Sequence, residues 1–338
     1  MSTSPHLAHA LGAPINGLAW NTDTLAAACG DGTLHLTRPT LDKPARIEVS
    51  ASPLLALITT PEGFVTAAEN GDVHLTTPQG DTRLLAATKY MFLENIVYYP
   101  KKNQILAATG KKVTVINIGS PGTSHQLPVT TPSTIAGLAL SPIGPRLAVS
   151  HYGGVTILPL DNPKNPPRNL AWKGSHLGLT YSPDGKWLIS AMQEQAIHLW
   201  RLSDSLDLQM RGYPSKITQF SWDNTGTILG TNGGGGVPLW NFATDKGPAG
   251  TQARVLADSQ SQTTLVTSMA MHPKGPFCAI GYSDGLTLLT QTEEDRAILL
   301  HEPANQPTTH LAWSATGLFL AAASASGNLT LTDFAAIA

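Results

Sequence analysis

The sequence predicts an all-β fold built from one repeated antiparallel unit. Short apolar runs alternate with polar turns along the whole chain, and no stretch shows helical periodicity. The clearest unit places the turn SPDG, residues 182–185, between apolar runs that contain Leu179 and Leu188, and a third run follows at residues 197–200. Three runs of this kind, separated by tight turns, form most of a small antiparallel sheet.

The same turn recurs at a regular spacing. The positions equivalent to Pro183 are Thr22, Pro61, Lys101, Pro142, Pro183, Asn224, Pro273 and Ala315. The steps between them are 39, 40, 41, 41, 41, 49 and 42 residues. The mean step of about 42 residues matches the roughly 40–45 residues of a four-stranded propeller blade. We therefore predict eight units, which we number in chain order.

A fourth, weaker strand follows the third in seven of the units, but the eighth unit ends at Phe334 with four residues left. The segment HLAHAL, residues 6–11, has the missing strand's pattern, and we expect it to complete the last blade. Such closure removes exposed sheet edges. The prediction is a single domain, residues 1–338, folded as a closed β-propeller of eight four-stranded antiparallel blades. The alternative is seven blades, with residues 54–80 of unit two as the irregular part.

Several short motifs resemble those of WD40-repeat β-propellers over essentially the whole chain. They are SPDG at 182–185, Leu-Trp at 199–200 and 239–240, and the turns Asp-Gly-Thr at 31–33 and Asp-Gly-Leu at 284–286. The chain departs from the family pattern at Thr37 and Thr332, which replace Trp, and in the absence of a Gly-His dipeptide. We therefore expect apolar packing to replace most of the family's Asp–His–Ser/Thr–Trp hydrogen-bond network.

Composition limits the kinds of partner and the cellular compartment that we expect for this protein. Charged residues make up 13% of the chain and the formal net charge is -2, so bulk charge does not favour a nucleic-acid or membrane partner. Two cysteines, Cys29 and Cys278, lie in apolar runs, as expected of free thiols in a reducing compartment. The N-terminus lacks the basic and apolar regions of a signal peptide, and no apolar run reaches the roughly 18 residues of a membrane span. We expect a cytoplasmic protein.

The sequence gives little sign of catalysis. The glycine run at 233–236 precedes a strand, which favours a hairpin turn over a phosphate-binding loop. The innermost strands are small and apolar, and they carry few titratable groups. We predict no enzymatic activity, no cofactor and no metal. The alternative is a hydrolase-type propeller with a site at the channel mouth formed by Glu94, His176 or His310.

The resemblance implies that partners bind the face formed by the loops between strands four and one and between strands two and three. Aromatic residues there are candidate anchors: Tyr90, Phe92, Tyr152, Trp172, Tyr213 and Tyr282. Charges on this face segregate by unit. The acidic half has Asp31, Asp284, Glu302, Glu69, Asp72 and Asp258, and the basic half has Lys89, Lys111, Lys173, Arg211 and Lys216, with Glu194 as the exception.

These features predict a non-catalytic scaffold or adaptor for protein or peptide partners. The residues that we expect to contact a partner are Tyr90, Phe92, Tyr152, Trp172, Arg211, Tyr213, Tyr282, Asp31 and Asp284. Charge segregation would orient a partner of complementary polarity across the face. A chaperone-like protein that binds a basic client segment on the acidic half is a further alternative.

Overall fold

The computed structural model describes residues 7–39, 43–162, 164–204, 206–261, 263–294 and 296–334. Within these ranges the regular structure consists of β-strands and one short 3-10 helix, Pro100–Lys102. This composition confirms the all-β fold class.

The strands follow the repeat units in chain order. β1 (Leu7–Ala10) precedes unit one, which contains β2 (Ile15–Asn21), β3 (Thr24–Cys29), β4 (Thr33–Thr37) and β5 (Ala45–Glu48). Unit two contains β6 (Leu54–Thr60), β7 (Gly63–Ala68), β8 (Asp72–Thr76) and β9 (Thr82–Ala87). Unit three contains β10 (Ile96–Tyr99), β11 (Gln104–Thr109), β12 (Lys112–Asn117) and β13 (Ser124–Gln126).

The later units continue the pattern. Units four and five together contain β14 (Gly137–Leu140), β15 (Arg146–Pro159), β16 (Arg168–Tyr181), β17 (Trp187–Met192), β18 (Ala196–Arg201) and β19 (Asp207–Met210). Unit six contains β20 (Phe220–Trp222), β21 (Ile228–Thr231), β22 (Val237–Asn241) and β23 (Arg254–Leu256). Unit seven contains β24 (Val266–Met271), β25 (Phe277–Tyr282), β26 (Thr287–Gln291) and β27 (Ala297–His301), and unit eight contains β28 (Thr308–Trp313), β29 (Phe319–Ser324) and β30 (Asn328–Asp333).

Hydrogen bonding groups these strands into seven sheets within the described ranges. Six sheets have four antiparallel strands, as predicted, and the seventh has six strands, β14 to β19. The prediction of eight separate four-stranded blades is therefore wrong: the β-propeller has seven sheets, and units four and five share one of them. Unit two, which the seven-blade alternative singled out, forms an ordinary four-stranded sheet, β6 to β9.

Two long strands explain the shared sheet. β15 turns back at Gly153 and Gly154, whose φ angles are +91° and +138°, so the Leu160 amide donates a hydrogen bond to the Pro145 carbonyl at 2.8 Å. β16 pairs with β15 from Arg168 to Ser175 and then with β17 from His176 onward. Extended pairing thus runs on from unit four into unit five, and the spacing of turns in the sequence does not reveal this continuity.

The N-terminal strand completes the last unit. β1 pairs antiparallel with β30, with Leu7 opposite Leu331 and Ala10 opposite Asn328. The Trp20 indole Nε1 in β2 donates to the Ala312 carbonyl in β28 at 3.0 Å, so units one and eight are neighbours. The predicted strand exchange is confirmed over Leu7–Ala10, while His6 lies outside the described residues.

The second strand of each unit packs between two neighbouring sheets. Alternate residues of β3 show this arrangement: Leu25, Ala27 and Cys29 pack with unit eight, whereas Ala26 and Ala28 pack with unit two. Side chains of a strand alternate between its faces, so a strand buried on both faces reads as a continuous apolar run. The frequent alanines of these strands follow from that position, because both neighbouring sheets approach them closely.

Candidate functional site

Two sets of loops lie together at one end of the sheets. The loop between strands two and three of a unit accepts backbone hydrogen bonds from the loop that leads to the next innermost strand. In each example a backbone amide donates to a backbone carbonyl: Val49 to Gly32 at 3.2 Å, Thr88 to Gly71 at 3.0 Å, Ser259 to Gly235 at 2.9 Å and Ala304 to Asp284 at 2.9 Å. We call the surface formed by these loops the loop face. It is the surface on which the sequence places the candidate anchors.

The candidate aromatic residues differ widely in exposure. Phe92 and Tyr152 are each 60% exposed, and Tyr90 and Trp172 are half-buried. Tyr213 is 7% exposed and Tyr282 only 1%. Of the six candidate rings, Tyr213 and Tyr282 therefore present almost no side-chain surface to a partner.

Hydrogen bonds explain why these two tyrosines are buried. The Tyr213 hydroxyl lies 2.8 Å from the Thr231 hydroxyl and accepts a hydrogen bond from Trp240 Nε1 at 2.8 Å. The Tyr282 hydroxyl donates to the Ala257 carbonyl. Burial raises the pKa of Tyr213 to about 12, despite hydrogen bonds that act in the opposite direction. Both residues tie a loop to its sheet, which is a structural role.

One groove brings together three of the candidate residues, Tyr152, Trp172 and Arg211. This rim groove has a volume of about 560 Å³ and is also lined by Lys173, Gly174, Met192, Glu194 and Gln209. It lies where units four and five meet, because Tyr152 ends the first half of β15 and Trp172 lies in β16. The groove therefore combines two aromatic rings with two cationic side chains.

Neighbouring contacts fix the walls of the rim groove. The Trp172 indole stacks on the buried His198 ring. The Glu194 carboxylate accepts a hydrogen bond from the Ser175 amide at 3.2 Å, and Arg211 Nε donates to the Gln209 side-chain oxygen at 2.7 Å. Tyr152 is held through its backbone, since its amide donates to the Ser133 hydroxyl at 2.8 Å, so its side chain remains free to contact a partner.

A larger groove adjoins the first. This outer groove, of about 960 Å³, lies between the outer strand of unit five and the sheet of unit six, and Gln209 and Arg211 line both grooves. Its other walls include Pro214, Pro238, Val255 and Asp258. Residues 234–236 of the glycine run line it, and a Cβ on Gly236 would lie 2.6 Å from the Leu256 carbonyl oxygen. The glycine run therefore allows two backbone segments to pack closely, which agrees with the predicted hairpin turn.

The loop between β9 and β10 presents a second apolar feature. Met91 is 55% exposed beside Phe92, a residue that the sequence did not single out. Phe92 has a φ of +59° and Lys89 a φ of +57°, which are left-handed values that ordinary side chains rarely adopt. Hydrogen bonds to unit two hold the loop, including the Phe92 amide to the Glu69 carbonyl at 2.7 Å. The loop is therefore held in an uncommon conformation that exposes two large apolar side chains.

Both candidate aspartates accept hydrogen bonds within their own turns. Asp31 accepts hydrogen bonds from the Thr33 amide at 3.1 Å and hydroxyl at 2.6 Å, and it faces Arg46 at 3.6 Å. Partial burial alone would raise the pKa of Asp31, but the Thr33 hydrogen bonds and the Arg46 charge lower it below its usual value. Asp284 accepts from the Leu286 amide at 3.1 Å. These contacts leave less of either carboxylate available for the basic client of the chaperone alternative.

Among the residues of the hydrolase alternative, His176 is enclosed by its own sheet. His176 is fully buried, with Nδ1 2.7 Å from the Ser190 hydroxyl and Nε2 3.1 Å from the Trp172 carbonyl, so it does not lie at the channel mouth. The His176–Ser190 pair beside Trp200 also retains part of the polar network that we expected to be largely absent. No cluster of three His, Cys, Asp or Glu side chains suited to a metal ion occurs within the described ranges.

The structure also addresses membrane spanning by helices. In the part of the chain that the structure describes, no helix has the length and apolar character required to cross a bilayer.

Comparisons with known proteins place this geometry in context. No family model matches the sequence. An RWD, RING finger and WD repeat-containing protein of Schizosaccharomyces pombe is 22% identical over 142 residues, which cover 38% of this chain and 11% of that protein.

Two solved structures share the fold. The computationally designed Ika8 protein has a TM-score of 0.77 at 15% identity and covers 96% of this chain and 98% of its own. The C-terminal WD40 domain of Sif2 has a TM-score of 0.76 at 14% identity and covers 98% of each chain. The resemblance to WD40-repeat β-propellers is confirmed.

Proposed function

We propose that this chain is a non-catalytic scaffold or adaptor that binds protein or peptide partners through its loop face. WD40 propellers typically serve as protein-interaction scaffolds, which supports the general class. The observation that carries the proposal for this chain is the shared groove of Tyr152, Trp172, Lys173 and Arg211. Tyrosine, tryptophan and arginine are the residue types that most often supply the binding energy of protein interfaces.

The mechanism rests on preorganisation. Side chains that are already fixed lose little conformational entropy on binding, so more of the contact energy is retained as affinity. Trp172 is fixed by its stacking on His198, and Arg211 is oriented by Gln209. Tyr152 supplies apolar surface that a partner removes from water. The cations add charge complementarity, which sets the orientation and the rate of association.

The proposal includes a reducing, cytoplasmic location. Cys29 and Cys278 are free and buried, and burial raises the pKa of the two thiols to about 11 and about 12. Such thiols stay protonated and unreactive near neutral pH, so the fold does not depend on oxidation. A cytoplasmic adaptor would have these properties.

The test is affinity purification of the tagged full chain from its own host. We expect partners of the wild-type protein to be lost or strongly reduced in the double variant Tyr152→Ala with Arg211→Ala, because both substitutions remove groove walls without entering the core. The matched control is Ile143→Ala, which truncates a side chain that is 51% exposed in the turn between β14 and β15, at the other end of the sheet. Equal recovery of the same partners by all three proteins would contradict the proposal.

A further inference from the structure

The rim groove and the outer groove adjoin at shared side chains, and we call the two together the joined surface. Gln209 and Arg211 line both, so Arg211 stands at the junction and not at an end. Their individual volumes, about 560 and about 960 Å³, lie within the range of established ligand sites. A partner segment that occupies one groove can therefore continue past Arg211 into the other.

Apolar side chains line both parts of the joined surface, and we call them its floor. Trp172 and Met192 line the rim groove, and Pro214, Pro238 and Val255 line the outer groove. Val255 belongs to the outermost strand of unit six and is 41% exposed, so its side chain is accessible to a partner. An extended segment presents every second side chain to one side, so it could place several apolar side chains on this floor.

Charge is distributed unequally along the same surface. Lys173 and Arg211 lie at the rim end and the junction, and both are exposed. Within the described ranges no carboxylate lies at ion-pair distance from either cation. Glu194 is the one acidic side chain of the rim groove, and it accepts a hydrogen bond from the Ser175 amide. Asp258 lies in the outer groove, on the far side of Arg211. The rim groove therefore has two cations and one carboxylate, whereas Asp258 is the one acidic side chain among the described residues that lines the outer groove alone.

We propose that this joined surface binds one extended acidic peptide segment of a protein partner in a single direction. Carboxylates of the segment face Lys173 and Arg211, its apolar side chains rest on the floor, and a basic side chain faces Asp258. This inference rests on the proposed function and specifies the chemistry of its partner. Arginine suits the junction because its guanidinium binds a carboxylate through two parallel hydrogen bonds.

A displayed library of random twelve-residue peptides, selected against the full-length wild-type protein, tests the inference. We expect selected peptides to contain two or more Asp or Glu with interspersed apolar residues. For a synthetic selected peptide, Lys173→Glu with Arg211→Glu should weaken binding by about tenfold or more, since it replaces attraction by repulsion. The matched control, Lys101→Glu with Lys274→Glu, makes the same change in net charge at two exposed lysines at the opposite end of the sheets.

The direction of the segment has its own test. Asp258→Lys should weaken the binding of peptides that carry a basic residue near one end. It should not change the affinity for the same peptides in which that basic residue is replaced by Ala. Selected peptides without acidic enrichment, or equal loss of binding in the groove and control variants, would overturn the inference. If such a result accompanied partner binding that still depends on Tyr152 and Arg211 in affinity purification, the scaffold function would stand and only the acidic-segment partner would be wrong.

Discussion

The Trp172 indole stacks on the His198 imidazole, with ring centroids 4.0 Å apart and an interplanar angle of 22°. His198 also lies 4.4 Å from Trp200, centroid to centroid, and its side chain is fully buried in unit five. The wall of the rim groove is thus continuous with the packed interior of a sheet. Trp172 therefore has a structural role as well as the proposed binding role, whereas Tyr152 has exposed side-chain surface and no comparable packing.

This difference predicts opposite outcomes for two alanine substitutions. Trp172→Ala should lower the free energy of unfolding by about 2 kcal/mol or more, because it removes a stacked, half-buried ring. Tyr152→Ala should change it by less than about 0.5 kcal/mol, as is usual for exposed positions. Chemical denaturation of the two variants and the wild type provides the measurement. Similar losses in both variants would contradict the assignment of distinct roles.

Stability should fall in mild acid because of His198. Burial, helped by the neighbouring His176, lowers the pKa of His198 to about 3, so the ring is neutral at pH 7 and its 3.6 Å contact with Asp207 is not an ion pair. An unfolded histidine has a pKa of about 6.5, so between about pH 6.5 and pH 3 the unfolded chain binds the extra proton. The contribution of neutral His198 to the free energy of unfolding is complete above about pH 6.5. This contribution decreases as the pH falls, by on the order of 2 kcal/mol at pH 5.

The measurement is the denaturation midpoint at pH 7 and pH 5. His198→Leu should reduce the difference between the two midpoints, even if it lowers both through the loss of stacking. Burial also lowers the pKa of other histidines, including the buried His35 and the half-buried His74 and His301, so a smaller acid effect remains. His125→Leu, at an exposed position in β13, is the control. An unchanged pH difference in His198→Leu would refute this origin of the acid sensitivity.

The repeat units could be predicted from the sequence, but the pairing of strands between units could not. Turn residues act locally, so eight equivalents of Pro183 could be aligned, and the β1 segment could be assigned to unit eight by its pattern. The shared sheet depends on how β15 folds at Gly153 and how β16 continues past Ser175, which are matters of backbone pairing. The burial of Tyr213 depends on Thr231 and Trp240, its hydrogen-bond partners 18 and 27 residues away. Its loop composition alone predicts exposure.

The strained loop at Phe92 yields a stability prediction. A left-handed φ costs an ordinary L-residue about 1–2 kcal/mol, and Asn tolerates it better. Phe92→Asn should therefore leave the melting temperature unchanged or raise it, because little packing is lost at a side chain that is 60% exposed. Met91→Asn is the control, since Met91 has similar exposure but no left-handed φ. A lower melting temperature for Phe92→Asn than for Met91→Asn would show that the ring stabilises the fold.

Tryptophan side chains at the ends of innermost strands link neighbouring units. Trp20 Nε1 donates to the Ala312 carbonyl at 3.0 Å, and Trp222 Nε1 donates to the Thr180 hydroxyl at 3.1 Å. Trp20→Phe leaves a backbone acceptor without its partner and should cost about 1–2 kcal/mol. Trp222→Phe should cost less, because the Thr180 hydroxyl still donates to the Tyr181 carbonyl. Equal unfolding free energies for the two variants would contradict this difference.

Removal of the N-terminal strand should destabilise the last unit strongly. A protein lacking residues 1–10 loses the pairing of β1 with β30 and uncovers a sheet edge beside Leu329 and Leu331, which are otherwise buried. We expect the melting temperature to fall by about 5 °C or more, with aggregation through the free edge. Deletion of residues 1–6, which retains β1, is the control. Addition of a synthetic peptide with the sequence of residues 1–12 should partly restore stability. Equal melting temperatures for the two truncated proteins would mean that β1 contributes no stability to unit eight.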